Sequence, residues 1–215
     1  MIAFNRRLTP ASLFRVLLVV ALACGFTEPL GAQDREGRQR LISELETYLN
    51  SIRTLRARFL QIGPSGDIAR GRVLISRPGN LRIDYDPPSP IVIATQGSWL
   101  MLYDKDLEAP SYTSLDDSLA GFLVRDKIRL SGDVVVRRLE RNKGVIRVTI
   151  VQKESPDSGS LTLVFNESPL ALRQWSITDG RGGETRVALE NARFNDKIDA
   201  AEFDFTIPER EDDRE

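Results

Sequence analysis

The polar and apolar positions change period once along this chain. Between residues 35 and 52, Leu41, Ile42, Leu45, Tyr48, Leu49 and Ile52 recur at helical spacing, with Arg and Glu opposite. A one-sided stripe of this kind predicts an amphipathic helix laid on a core. From residue 54 the period drops to two. Leu55, Ala57 and Phe59 alternate with Thr54, Arg56 and Arg58, and Leu81, Ile83 and Tyr85 alternate with Arg82 and Asp84. Successive side chains of a strand point to opposite faces, so this alternation predicts half-buried strands.

The same pattern predicts strands over 90–95, 98–104, 133–139, 145–151, 159–165, 170–178 and 184–192. Turn formers separate them, among them Gln96-Gly97, Asn142-Lys143-Gly144 and Gly180-Arg181-Gly182-Gly183. Parallel neighbours need crossovers longer than these turns, so the strands form an antiparallel meander. Within 114–123, Leu115, Leu119 and Phe122 share one helical face behind Ser114 as a cap, with Asp116 and Asp117 in the first turn. A short helix interrupting the sheet is predicted there. Ile91-Val92-Ile93-Ala94 and Trp99-Leu100-Met101-Leu102-Tyr103 are apolar on both faces, which calls for burial on both. One face packing on a helix while the other lines an apolar interior answers that demand; a filled core answers it equally. Residues 203–208 continue the strand pattern through Asp204, and residues 209–215, almost wholly charged, are expected to be a solvated tail.

The amino terminus has a different character. Arg6, Arg7 and Arg15 precede an apolar run over 16–26, and Leu30-Gly31-Ala32 supplies small residues, so residues 1–32 are expected to be a signal peptide cut after Ala32. The run is shorter than the ~20 residues a membrane span needs. Two rival export readings are weaker. Ala21-Leu22-Ala23-Cys24 ends in an acylatable cysteine but has the bulky Leu22, and Thr9 and Pro10 follow Arg6-Arg7 where a twin-arginine signal is apolar.

Composition narrows the chemistry. A chain of 215 residues suits one substantial domain. With 30 Lys plus Arg against 31 Asp plus Glu there is no basic stripe for nucleic acid. Histidine is absent, which removes the commonest general base and metal ligand. Cys24 is the only cysteine and leaves with the signal, so neither a disulfide nor a thiolate site is expected in the mature chain. Asp116, Asp117 and Asp204 have structural explanations, and the 180–183 loop joins two strands, unlike a phosphate-binding loop. No catalytic constellation, cofactor or metal site is expected.

Ala57-Arg58-Phe59-Leu60-Gln61 followed by Gly71, then Arg77-Pro78-Gly79 with Arg82 and Tyr85, resembles the outer-membrane lipoprotein carrier (LolA-like) family. The similarity continues through Gly97, residues 99–104, Leu115, Asp179, Gly182-Gly183, Thr185, Asn191, Phe203, Phe205 and Pro208, in order along essentially the whole mature chain. One departure is Gly79-Asn80-Leu81-Arg82, where better-known carriers have a more aromatic run.

The resemblance implies an α+β, mostly β fold: an incomplete, half-open antiparallel β-barrel with short helices lidding an apolar cavity, here over residues 33–208. It implies a periplasmic, monomeric, non-enzymatic chaperone. Such a protein takes acylated lipoproteins from an inner-membrane ATP-driven transporter and passes them to an outer-membrane acceptor. It assigns Arg77 to lock the lid by hydrogen-bonding lid backbone, and Leu115, Leu119, Phe122 and Leu123 to the lid's apolar face. It points to Phe59, Leu81, Ile83, Trp99, Met101, Val148, Ile150, Leu161, Leu163 and Trp175 for the acyl-chain cavity, with strand parity open. The alternatives are a lipid-anchored acceptor or glycolipid carrier of the same fold, a periplasmic lipid sensor, and a hydrolase for which no constellation is visible.

Overall fold

The computed structural model describes residues 30–116, 118 and 121–207. The chain divides into residues 1–39 and residues 40–215, and the sheet and core belong to the second unit. Helix α1 spans Leu30–Ser51, starting earlier than the stripe predicted. Leu45, Leu49 and, just beyond it, Ile52 are buried, and Leu41, Ile42 and Tyr48 pack against the core at its margin. The stripe therefore faces the core as its spacing requires.

Eleven strands follow: β1 (Thr54–Ile62), β2 (Ile68–Ser76), β3 (Asn80–Tyr85), β4 (Ile91–Gln96), β5 (Trp99–Asp104), β6 (Ala109–Ser114), β7 (Val134–Asn142), β8 (Val145–Gln152), β9 (Gly159–Glu167), β10 (Leu170–Asp179) and β11 (Glu184–Phe194). They form one antiparallel sheet in the order β6-β5-β4-β3-β2-β1-β11-β10-β9-β8-β7. Two meanders are joined where β1 pairs with β11, and β6 and β7 remain as edges, so the sheet is open. The mostly β, half-open antiparallel fold stands as read.

Four local expectations are corrected. The alternation does not delimit β2 and β6, because Arg70-Gly71-Arg72 and Pro110-Ser111 blur it, and pairing to neighbours supplies what local pattern lacks. Ser114 ends β6 and does not cap a helix, and Leu115 and Asp116 lie in a turn. The only helical turn described there is a 3-10 helix, Gly121–Val124. Residues 200–207 form no strand: Ala200–Phe203 is a 3-10 helix capped by Asp199, and extended chain follows. The predicted export segment through residue 29, Leu119, and the tail from 208 onward lie outside the described residues.

The inner face of the sheet carries the main core, with α1 and the Gly121–Val124 turn packed on it. On the outer face of β4 and β5, Ala94, Met101 and Tyr103 form a second cluster with Phe205 and Ile207. These strands are buried chiefly on the outer face, at Val92, Ala94, Met101 and Tyr103, where an extended segment and not a helix covers them, whereas their inward residues Ile93 and Leu100 are only partly buried and Leu102 is exposed.

Candidate functional site

The inner face encloses a hollow of about 140 Å³. Its walls follow from strand alternation and register. Leu55, Ile75 and Leu81 lie abreast on β1, β2 and β3, then Ala57, Val73 and Ile83, then Phe59, Gly71 and Tyr85. Inward residues of β4 and β5, Ile93 and Leu100, extend the wall on one side, and Trp175, Ile177, Thr185 and Val187 of β10 and β11 on the other. Gly71 sits between two rings. Phe59 and Tyr85 meet across it edge to face, with centroids 5.3 Å apart. A β-carbon at Gly71 would collide with the Asp84 carbonyl and lie 2.6 Å from the Phe59 ring.

The walls' polar groups gather at one end, where the Tyr85 hydroxyl donates to Gln61 Oε1 at 2.8 Å. Burial pushes the Tyr85 hydroxyl's pKa up, partly offset by Gln61, so it stays a neutral donor. The rest of the lining is apolar, apart from Thr185.

A short roof lies over part of the hollow. Phe122, Leu123 and Val124 are buried, and Leu123 reaches into the hollow. Described bonds tie this segment to the strands. The Leu115 N–H donates to the Ser98 carbonyl at 2.9 Å, and the Gly79 N–H donates to the Val124 carbonyl at 2.8 Å. Arg125 lies over the Phe122 ring, 5.2 Å from its centroid, and pairs with Asp133 at 2.6 Å. Beyond the roof, Asn50 of α1 both donates to the Ile128 carbonyl and accepts from its N–H, and Glu46 accepts from the Leu130 N–H. Among the described bonds, those of Asn50 and Glu46 tie the chain beyond the roof to α1, and the Gly79–Val124 bond ties the roof to the β2–β3 turn.

Of the predicted wall, Phe59, Leu81, Ile83 and Trp175 line the hollow. Val148, Ile150, Leu161 and Leu163 share the inner face but are fully buried in the packed core beside it. Trp99 and Met101 are a correction: they alternate with inward Leu100, so they point to the outer face, where Met101 is buried and Trp99 is half exposed. Sequence reading missed Val73 and Ile75 for want of β2, and Ile93 and Leu100 because both parities of β4 and β5 are apolar. In the predicted lid, Phe122 and Leu123 are buried, and Leu115 packs at the core's edge.

Arg77 follows β2 and is 8% exposed. Its backbone N–H donates to the Arg53 carbonyl, but its side-chain Nε and Nη2 are buried without a hydrogen-bond partner. Among the described residues, the expected bonds from this guanidinium to lid backbone are not made. The bond to the roof comes instead from Gly79, two residues on, because the turn and not the side chain reaches Val124.

Comparison with known proteins identifies relatives of this chain. A family model described as outer membrane lipoprotein carrier protein LolA matches residues 50–206. A relative from Azotobacter vinelandii, named outer-membrane lipoprotein carrier protein, is 31% identical and covers 93% of this chain and 97% of its own. One from Pseudomonas paraeruginosa with the same name is 30% identical over 91% and 95%. An uncharacterized protein of Rickettsia prowazekii is 29% identical over 78% of each chain. Among solved structures, a LolA superfamily protein from Nitrosomonas europaea aligns over 76% of this chain and 97% of its own at 15% identity and a TM-score of 0.41. With a family model spanning most of the sheet and relatives matched nearly end to end, this chain belongs to the family of outer membrane lipoprotein carrier proteins.

Proposed function

We propose that the protein is a periplasmic chaperone that receives lipoproteins released from the inner membrane by an ATP-driven transporter. It buries their acyl chains and delivers them as a monomer to an outer-membrane acceptor, without chemistry of its own. The observation that carries this reading is the apolar hollow roofed by the Gly121–Val124 turn.

Magnitudes favour a hollow that opens. Burying a ~16-carbon chain at ~0.8 kcal/mol per CH₂ is worth roughly 13 kcal/mol, and several such chains would never be released. A cavity of about 150 Å³ holds benzene, and the hollow is of that size, so it admits only a fraction of one chain while the roof is down. Loading must lift Leu123 and its neighbours, and the work of opening offsets part of the burial energy. That leaves an affinity that can lie between those of donor and acceptor.

The test is to add the purified mature protein to spheroplasts. Lipoproteins should leave the membrane and co-elute with it in soluble form, without detergent; lipoproteins that stay in the membrane would overturn the reading. Mass spectrometry of the mature amino terminus checks the route, with a free end near Gln33 expected. An acylated Cys24 would instead make it an anchored protein.

A further inference from the structure

Back to back with the hollow, on the outer face of β1 and of β7 to β11, lies a groove of about 510 Å³. Strand alternation makes the two neighbours. Gln61, Ile177 and Thr185 line the hollow, and Ile62, Ser176 and Arg186, next to them in sequence, line the groove. One row of the groove crosses six strands in register as Leu60, Ala188, Gln174, Val164, Arg147 and Glu140. It is apolar at β1 and charged at β7. The hydroxyls of the next row are engaged: Thr149 and Thr162 share a bond at 2.8 Å, and Ser176 bonds to Glu184.

The charges leave one cation over. Glu140 is held by Arg138 at 3.3 Å, and Glu184 by Arg186 at 2.6 Å. Arg147 faces Glu140 in register but, among the described residues, makes no ion pair, and the Gln174 amide makes no hydrogen bond. Strands lie about 4.8 Å apart, so Arg147 and Gln174, two strands apart, are spanned by about three residues of extended chain. A peptide crossing the row therefore sets backbone groups on the Gln174 amide, a carboxylate on Arg147 and Val164 between them.

The hollow opens beside this groove. Under the roof Ile75, Leu81 and Leu123 are buried, whereas at the far ends of the strands Gln61, Tyr85, Ile177 and Thr185 are half-buried. Ile62 ends β1 and Glu184 begins β11, so the groove starts at that same rim.

We propose that the groove seats the peptide segment behind a lipoprotein's acylated amino terminus, extended and bearing a carboxylate opposite Arg147. This rests on the carrier reading above and adds to it a subsite for the protein part of the load. One exposed ion pair and one amide contact are too weak to hold a free peptide. A segment tethered by chains already in the hollow meets the groove at an effective concentration of roughly millimolar, which singles out the load itself over a separate protein as the occupant.

Competition binding of synthetic lipopeptides tests this, each with two ester-linked hexadecanoyl chains. Each carries a peptide leash of about ten residues, long enough at ~3.3 Å per residue to round the rim and reach Arg147. A leash rich in Asp and Glu should bind about two- to fivefold tighter than the same leash with Asn and Gln, the range of one exposed ion pair. Added salt should shrink that preference. Arg147→Gln should bring it to about unity, and Arg147→Glu should turn it toward a leash of Lys. Arg129→Gln, at an exposed arginine outside the groove, should keep it. A leash cut to about three residues ends at the rim and should show no preference. Circular dichroism melting shows whether each variant folds; should Arg147→Gln fail, the short leash on the wild type answers the same question. Equal binding of acidic and neutral leashes by the wild type, or an acidic preference that survives in Arg147→Gln or with the short leash, would overturn the inference and leave the carrier reading standing. Binding of no probe at all by the wild type would sink the carrier reading and the inference with it.

Discussion

Gly71 shows how one residue shapes the hollow. Its missing side chain lets rings from β1 and β3 meet over β2, which builds the wall and leaves space beneath it. Gly71→Ala must push either the Asp84 backbone or the Phe59 ring, so it should destabilise the fold by about 1–3 kcal/mol. Thermal unfolding should show the lower midpoint, and acyl-probe affinity should fall with it as the wall is displaced. A neutral outcome would mean that the rings do not need the glycine. Arg77 carries the opposite lesson. Its place beside Pro78 marks a turn in sequence, yet its burial and lack of partners arise from α1 and the roof closing over it. No local pattern reports either.

Among the elements, the segment over 199–207 is the least anticipated. Phe205 and Ile207 cover Met101 and Tyr103, and the Tyr103 and Phe205 rings lie 5.5 Å apart. Arg82 donates to the Asp204 carbonyl at 2.7 Å, and Arg56 grips Glu202 with two bonds, at 2.7 and 2.8 Å. The Arg56 bonds hold the Glu202 carboxyl at about 2, below its ordinary 4.5. A depressed carboxyl stabilises the folded arrangement above its ordinary pKa and loses that contribution as pH falls from about 4.5 through 2. Limited proteolysis should therefore cut the strap faster at pH 3 than at pH 7, and Glu202→Gln should speed cutting at pH 7 while flattening the pH dependence. An unchanged pH dependence in that variant would show that another group governs the strap. The periodicity of 203–208 is real, but it reports anchoring of alternate residues on an outer face, not membership of the sheet.

At the scale of the molecule, the order of strands leaves β6 and β7 unpaired on opposite sides of the opening. Both edges are unattractive to a further strand. β6 is short and carries Pro110, and β7 carries Arg137, Arg138, Glu140 and Arg141. The described tie of the roof turn to the β2–β3 turn is the Gly79–Val124 bond. Hydrogen exchange should find the Gly79 amide protected in the free protein and exposed on loading with an acylated lipopeptide, while amides shared by β1 and β11 stay protected. Equal protection of Gly79 in both states would mean that the roof does not lift.

The helix, most strands and the antiparallel meander are legible from spacing alone, because a helix or strand packed on one core imposes its own repeat on the chain. The family is legible too, through the order of Phe59, Gly71, the Arg77-Pro78-Gly79 turn and the closing aromatics. What covers each face is not. In β4 and β5 both parities are apolar, so the pattern announces burial twice without saying that Ile93 and Leu100 meet a hollow while Met101 meets Phe205. The helical spacing of Leu115, Leu119 and Phe122 is likewise not met at Leu115, which lies in a turn after β6, and among the described residues there the helical turn is Gly121–Val124. Periodicity is a local signal that records how much a residue is buried. The identity of its neighbour depends on register and chain closure between segments far apart in sequence, and those settle only when the sheet is assembled.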